Sequence, residues 1–401
     1  MTLPKLRAMR ILSVAGEKDL KRIMQAIKVD PYGIKIMLPK ARAYLLKINS
    51  LSNISANILK QEMLSLGGDV AVSRDALTGK SKKTDCLIMG SLAQLGSLSN
   101  KLHKQPFGLD KMSAELSLAL KNYQRKNLTL DLGRYRLYLG TRAYIMGIVN
   151  ATPDSFSRDG LGSKWEAVEY AEKLVRDGAD IIDVGGESSR PGARPVSLQV
   201  ELSRVIPLVK ELAKKIKVPV SVDTCKPEVA RQALDNGASL INDITGLSNI
   251  KIAKVISRYK AGVVIMHMRG KPRSMQKNPQ YASLIDELIA YLAEAIDRGV
   301  AAGIAKEKII IDPGIGFGKT LEHNLEILKR LREFKVFGLP ILVGTSRKAF
   351  IGKLLNALPE DRIFGTVASC VIASENGAHI VRVHDVKAVK QALLIKDGIA
   401  R

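Results

Sequence analysis

Between Asn150 and Asp385, nearly every short apolar run is followed by a side chain able to bind, ionise or coordinate. In order these are Asn150, Asp183 with Glu187-Ser-Ser-Arg-Pro-Gly, Asp223, Asn242-Asp243, His267, Asp312, Ser346-Arg347-Lys348, and Arg382-Val-His384-Asp385. They sort by charge. Arg190, Arg347, Lys348, Arg382 and His384 are basic and suit a phosphate or diphosphate, whose oxygens match guanidinium forks. Asp223, Asn242 and Asp312 are acceptors. The edge of an amino-pyrimidinone presents adjacent N–H donors, which a carboxylate takes in pairs. Asn150 offers a neutral oxygen. Mg²⁺ is held by few protein groups plus phosphate oxygens, so one asparagine beside a diphosphate is a reasonable ligand. Together the residue types describe a pocket for a flat heterocycle carrying a diphosphate.

Other chemistries fail on spacing. Gly318-Lys-Thr320 resembles the end of a phosphate loop, but the glycine required five residues before Gly318 is Pro313. Gly314, Gly316 and Gly318 do not make the dinucleotide spacing either; they suit a backbone passing close to a planar ligand. His267 and His384 lack His-Glu-x-x-His spacing, so a catalytic zinc is not expected. No Ser-His-Asp or Cys-His arrangement is evident. His103 stands alone and reads as structural. Lys80-Ser-Lys-Lys reads as a solvated basic turn.

The elements that must position these groups are regular from Tyr144 onward. Strand-like runs are expected at Tyr144–Val149, Ile181–Val184, Val218–Val222, Leu240–Ile244, Gly262–Met266, Ile309–Ile311, Ile341–Val343 and His379–Val383. They lack polar alternation, as strands buried on both faces do. Helical spacing is expected over Lys164–Asp177, Leu198–Lys215, Pro227–Asn236, Leu284–Ala302, Asn324–Phe334 and Arg362–Asn376. Eight strands with intervening helices over roughly 260 residues predict an α/β fold of the (β/α)₈ TIM-barrel type. In that fold all the strand-end side chains converge on one mouth. Residues 1–130 read as an additional small N-terminal α/β domain, and 131–401 as the barrel domain. In the first domain, strands are expected at Ile11–Val14, Ala43–Ile48, Val70–Val72 and Cys86–Met89, and helices at Glu17–Lys28, Ser55–Leu66 and Ser91–His103. Residues 105–140, with a helix at Ser113–Gln124, read as the connection.

The 401-residue chain carries a net charge of +24, of which +13 falls in residues 1–130 (22 Lys and Arg against 9 Asp and Glu). This favours anionic ligands. Aromatics make up only 4 %, too few for the stacking platforms of single-stranded nucleic-acid binding, and nucleic acid is not an expected partner. Cys86, Cys225 and Cys370 are odd in number and widely spaced, which points to a reducing compartment. No apolar run reaches membrane-spanning length and the first residues lack a signal-peptide core, so the expected location is the cytoplasm, without a membrane partner.

Five segments together resemble dihydropteroate synthase of the pterin-binding family: Met146–Ser157; Asp183–Ala193; Ser221–Val229; Asp312–Lys319; and Gly344-Thr-Ser-Arg-Lys348 with Arg382-Val-His-Asp385. The likeness spans about residues 140–401. It implies condensation of 7,8-dihydropterin-6-ylmethyl diphosphate with 4-aminobenzoate, giving 7,8-dihydropteroate and pyrophosphate. It further implies that Asp223, Asn242, Asp312, Phe317 and Lys348 hold the pterin, and that Asn150 meets Mg²⁺ on the diphosphate. Ser189, Arg190, Arg382 and His384 would hold the leaving pyrophosphate, and Phe156, Ser188 and Pro191 would border the aminobenzoate. Catalysis would rest on Asp223, Arg190, Lys348, Arg382 and His384, in a homodimer. Two departures stand out. Ser189 takes the place of a threonine usual in relatives, and Ala349 that of a serine found in some. The alternative is a pterin-binding barrel that moves a methyl group from methyltetrahydrofolate to a corrinoid protein. It needs the pterin carboxylates but not the diphosphate cations. The first 130 residues carry no part of the catalytic pattern.

Overall fold

The structure, a computed structural model, describes residues 10–14, 16–151, 163–188 and 192–399. They fall into two compact units, Met1–Lys121 and Asn122–Arg401.

In the first unit, β1 (Ala43–Ser52), β2 (Asp69–Val72) and β3 (Lys83–Ser91) form an antiparallel sheet in the order β1-β3-β2. Alternate residues of β3 (Thr84, Cys86 and Ile88) are buried, and Cys86 and Ile88 join Leu59, Met63, Leu95 and Leu98 from the helices Asn53–Leu64 and Leu92–Leu102 in one core. Period-2 burial of this kind belongs to a sheet covered on one face. Both helices start where a serine caps them: Ser52 Oγ accepts the Ser55 amide, and Ser91 forms a reciprocal box with Gln94. The expected strand at Ile11–Val14 is absent; those residues form no regular element. Their apolar character is spent on no sheet, and Ile11 is fully exposed.

The second unit opens with a hairpin that sequence periodicity did not reveal, β4 (Leu128–Asp131) and β5 (Arg136–Leu139). Eight parallel strands follow: β6 (Tyr144–Asn150), β7 (Ile181–Gly185), β8 (Val220–Asp223), β9 (Leu240–Asp243), β10 (Gly262–Met266), β11 (Ile309–Asp312), β12 (Leu342–Val343) and β13 (Ile380–Val383). Neighbours pair in sequence order, β13 returns to β6, and a parallel bridge between Ile311 and Ile341 closes the ring. This is the (β/α)₈ barrel. Its strands are almost wholly buried because the ring packs inward on itself and outward on helices. Leu128, Leu130 and Leu139 of the hairpin join Met146, Ile181, Leu240, Val264, Ile310, Leu342 and Ile380 in one apolar cluster at the amino ends of the strands. That end is filled, so the chemistry is left to the carboxyl ends.

The outer helices follow the expected pattern with local differences. The stretch expected as one helix over Asn324–Phe334 is an α-helix, Leu321–Lys329, followed by a 3₁₀ segment, Leu331–Phe337. Thr320 and His323 cap the former reciprocally, which moves its start forward. Three further helices, Ile250–Arg258, Ala349–Leu355 and Val386–Ile399, complete the ring. Among the described residues no helix is long and apolar enough to cross a membrane.

Candidate active site

The carboxyl ends of the barrel strands bring one hydrogen-bonded group together around Arg382. Arg382 stands on β13, and its Nε donates to Asp183 Oδ2 at 2.6 Å while Nη2 donates to Asp223 Oδ2 at 2.9 Å. Asn242, on β9, donates its Nδ2 to the same Asp183 oxygen at 3.2 Å. This leaves the Asn242 Oδ1 side of the amide for a ligand donor, the acceptor role expected from sequence. Asp183 has 0 % exposure, and its Oδ1 is buried with no hydrogen-bond partner among the described residues. Three strands, β7, β8 and β13, thus share one guanidinium. A planar fork serves two carboxylates at once, which a lysine could not do with the same fixed geometry.

Burial drives the ionisation of this group. The Asp223 carboxyl is pushed up to about 7, first by burial, against Arg382, and further by the charges of Asp183, Glu201 and Asp243. Asp312, at the end of β11, is raised by burial, opposed mainly by Lys348. Its Oδ1 accepts the Gly314 amide at 2.7 Å. Lys348 reaches back over this loop: its Nζ donates to the Ile315 carbonyl and lies 4.6 Å from the Phe317 ring centre. Burial brings its ammonium down to about 8, with Asp312 opposing. Each group's charge thus opposes the effect of burial on the other.

The glycines make that approach possible. Gly314 has φ +74°, and a Cβ there would sit 1.9 Å from the His267 carbonyl oxygen. At Gly316, with φ +81°, a Cβ would meet Lys348 Cδ at 3.0 Å. Only glycine fits the first position. Gln276 Nε2 donates to the Gly316 carbonyl at 2.6 Å, and the Tyr281 hydroxyl to the Gly318 carbonyl at 2.8 Å. Behind the loop, the buried Lys319 meets His267 Nδ1 at 3.0 Å and the Phe317 carbonyl at 3.1 Å. Burial, and next the Lys319 charge, lower His267 to about 2, so its imidazole is neutral.

A second cluster lies at the ends of β6, β12 and β13. His384 Nε2 is 3.5 Å from Asn150 Nδ2, and its Nδ1 is 3.0 Å from Ser346 Oγ. Ser346 Oγ also accepts the His384 amide at 3.1 Å. With the Asn150 amide nitrogen as donor to Nε2, the matching tautomer carries its proton on Nδ1 and donates it to Ser346 Oγ. Arg347 does not join the anion-binding cations. Its fork is taken by Asp385 at 3.0 and 2.6 Å, a clamp between the loops after β12 and β13.

Asn150, Asp223, Asn242, Asp312, Phe317, Lys348, Arg382 and His384 thus sit on the β6, β8, β9, β11, β12 and β13 rim. Ser188 lines a cavity with Asp223, Thr224, Ile244 and Pro272. Phe156, Ser189, Arg190 and Pro191 lie outside the described residues. Sequence reasoning gave Asp183 no role. Its place at a strand end was visible, but its function as shared acceptor for Arg382 and Asn242 needed the third dimension. Lys319, Gln276 and Tyr281 carried no signal beyond type.

A Mg²⁺ ion fits this rim only in partnership with a ligand. Among the described residues no group of three His, Cys, Asp or Glu side chains is placed to hold a metal alone. Asp183 and Asp223 each give one oxygen to Arg382, and the neutral Asn150 amide beside His384 is the oxygen donor expected from sequence for an ion on the diphosphate.

Comparison with known proteins agrees with this geometry. Residues 146–384 match the family described as "Pterin binding enzyme". The dihydropteroate synthase of Escherichia coli strain K12 is 50 % identical over 256 residues, covering 64 % of this chain and 91 % of that protein. A crystal structure of Xanthomonas albilineans dihydropteroate synthase with 4-aminobenzoic acid superposes with a TM-score of 0.65 at 40 % identity, covering 68 % of this chain and 98 % of that one. A probable bifunctional folylpolyglutamate synthase/dihydropteroate synthase of Halobacterium salinarum is 39 % identical over 370 residues, 92 % of this chain and 44 % of that protein. So long a match extends into the N-terminal unit, which therefore has a counterpart outside this chain. The chain belongs to the pterin-binding enzyme family, among the dihydropteroate synthases.

Proposed function

We propose that the rim condenses 7,8-dihydropterin-6-ylmethyl diphosphate with 4-aminobenzoate, releasing pyrophosphate and forming 7,8-dihydropteroate. The observation that carries this reading is Arg382 bridging Asp183 and Asp223. It joins the acceptor half of the site to the cationic half in one hydrogen-bonded unit. Asp223, Asn242 and Asp312 supply acceptors for the N–H edge of the pterin. Lys348 and Phe317 border its plane. Arg382 and His384 face the diphosphate, a role that the family resemblance alone extends to Ser189 and Arg190. Ser188 borders the aminobenzoate, and the resemblance alone adds Phe156 and Pro191. The methyl-transfer alternative has no use for a diphosphate pocket, and the relatives named above are dihydropteroate synthases.

An aryl amine is a weak nucleophile, so the reaction gains most from helping the leaving group depart. As the C–O bond to the diphosphate lengthens, negative charge grows on the bridging oxygen. Arg382 and the Asn150–His384 pair are positioned to take it up. Positive charge grows on the pterin methylene and spreads into the ring. The buried carboxylates Asp223 and Asp312 lie on the side that stabilises it. The amine then forms the C–N bond and gives up one proton, which the released pyrophosphate can take. No covalent bond to the protein is needed. Mg²⁺, held by Asn150 and the diphosphate itself, would supply further positive charge to the departing oxygens.

Asp223 must be ionised to stabilise a cation. Its carboxyl titrates near 7, so kcat/KM for the pterin diphosphate should rise between pH 6 and 8 with an apparent pKa near 7. A flat profile across that window removes Asp223 as the titrating group. The direct test of the reaction is pyrophosphate release with both substrates present, with and without Mg²⁺. Release dependent on both organic substrates is expected, and its absence defeats the reading.

A homodimer is part of the same proposal. Phe364 and Ile372 of the helix Ile363–Glu375, and Leu394, Ile395 and Ile399 of the adjacent Val386–Ile399, are exposed apolar side chains, with Phe364 82 % exposed. A second copy covering these two packed helices would remove that surface from water.

A further inference from the structure

The mouth of the barrel carries a pairing of side chains that the mechanism above does not use. β12 and β13 run in parallel, with Leu342 opposite Ile380 and Val343 opposite Val381. The strands end there, but their offset of 38 residues continues. Ser346 Oγ meets His384 at the amide, 3.1 Å, and at Nδ1, 3.0 Å, and the Arg347 fork meets Asp385 at 3.0 and 2.6 Å, each across the same 38 residues. Side chains thus extend the register past the point where backbone pairing stops. Of these two rungs, one holds His384 directly and the other, Arg347–Asp385, stands beside it.

Arg347 is held in an unusual backbone conformation. Its φ is +54°, in the left-handed region that favours glycine. Its amide donates to Thr366 Oγ1 at 2.9 Å, and its carbonyl accepts Arg362 Nη1 at 3.0 Å. Thr366 is fully buried. Arg362 passes close over the helix Ala349–Leu355, where a Cβ at Gly352 would lie 2.3 Å from Arg362 Nη2. Amide, carbonyl and side chain of one residue are therefore each fixed by a different part of the chain. A left-handed residue with a side chain persists only where its surroundings hold it, and such residues gather at functional sites. The ion pair itself is part-exposed, Arg347 at 40 % and Asp385 at 16 %. A pair of that kind adds little to stability, but its two-pronged geometry fixes direction as well as distance. Its use is geometric.

We propose that Arg347, locked by Asp385, is a positioning residue for His384 on the diphosphate side of the rim. This rests on the dihydropteroate synthase reading above. The left-handed turn sends the Arg347 side chain across to the β13 loop, while Ser346, one residue earlier, receives His384. Without the clamp the two loops keep a single rung, Ser346–His384, and the imidazole loses its fixed place beside Asn150. Arg347 spends its fork on Asp385 and acts through Ser346 and His384. Lys348, the next residue, is held separately by the Ile315 carbonyl.

The experiment is calorimetry of the full chain with inorganic pyrophosphate, for the native protein, Arg347→Gly, Asp385→Asn, Ser346→Ala and the double variant Arg347→Gly/Ser346→Ala, with thermal denaturation of each. Pyrophosphate binding needs no turnover, and native turnover of both substrates tests the reaction separately. Glycine suits the left-handed backbone at 347, so Arg347→Gly removes the clamp without adding strain. Arg347→Gly and Asp385→Asn should each weaken pyrophosphate binding about tenfold, the lower end of the range known for groups that orient a ligating side chain. The double variant should bind within about threefold of the weaker single variant, because both changes act on His384 and do not add. If Arg347→Gly does not fold, Asp385→Asn, which keeps the amide and carbonyl contacts of Arg347, carries the same test in combination with Ser346→Ala. Folded Arg347→Gly and Asp385→Asn that bind pyrophosphate within about threefold of the native chain, losses that multiply in the double variant, or a native chain that binds no pyrophosphate overturn the proposal.

Discussion

Arg382→Ala is expected to lower kcat/KM for the pterin diphosphate by roughly two to three orders of magnitude, the range seen when a preorganised charge-stabilising donor is removed. Calorimetry should show weaker diphosphate binding, with 4-aminobenzoate binding changed less. The structural cost is separate and has a sign that pH reveals. The substitution leaves Asp183 and Asp223 facing each other with no cation between them. Breaking a buried pair by removing one partner costs about 3–5 kcal/mol, because the remaining charge stays buried. These carboxylates can recover part of that by taking up a proton, which raises their folded pKa above the unfolded value. Stability gained by protonation is present at low pH and lost as pH rises through the folded pKa. The drop in Tm should therefore be larger at pH 8 than at pH 6. Arg382→Lys should recover stability better than diphosphate binding, since an ammonium neutralises charge but cannot fork. Unchanged diphosphate affinity in Arg382→Ala would remove Arg382 from the leaving-group side.

The barrel was legible in the chain because its strands are buried on both faces. Continuous apolar runs such as Ile309–Ile311, each ending in a polar residue, are too short for buried helices and too uniform for half-exposed strands, and all eight appear as strands of the barrel. The hairpin Leu128–Leu139 was not legible. Its strands are four residues long, and its apolar residues serve the barrel floor, a contact with no sequence periodicity. Ile11–Val14 shows the opposite failure: β-favouring residues without a neighbour to pair with form no strand. At the site, residue type and strand-end position were enough to gather Asp223, Asp312, Lys348 and Arg382 on one rim. Which of them touch was not. Arg347 and Arg382 are alike in sequence, both belonging to barrel strand ends, yet Asp385 occupies the first while the second faces the cavity carboxylates. Glu201 was invisible for a related reason: a glutamate in the first turn of a helix is an ordinary surface residue until packing leaves it 1 % exposed.

Asp223→Asn separates the shape of the site from its charge. The amide is isosteric, and its oxygen can still accept from Arg382 Nη2, so Arg382 should remain in place. What disappears is the ability to carry negative charge opposite the pterin cation. Activity at pH 8 should fall by about 10²–10³-fold, and the rise of kcat/KM through pH 7 should vanish with it. Stability should move the other way. In the native protein the Asp223 carboxyl titrates near 7, above its unfolded value of 3.8. The folded state therefore binds a proton more tightly than the unfolded chain, and that stabilisation is lost as pH climbs from 4 through 7. An asparagine carries no such penalty beside Asp183, Glu201 and Asp243. The Tm of Asp223→Asn relative to the native protein should increase from pH 6 to pH 8. A folded variant that retains activity within about threefold at pH 8, or loses Tm relative to native as pH rises, would mean that Asp223 acts as a neutral hydrogen-bonding group. Cation stabilisation would then rest on Asp312, a buried carboxylate of the rim whose charge is not spent on Arg382 by a hydrogen bond.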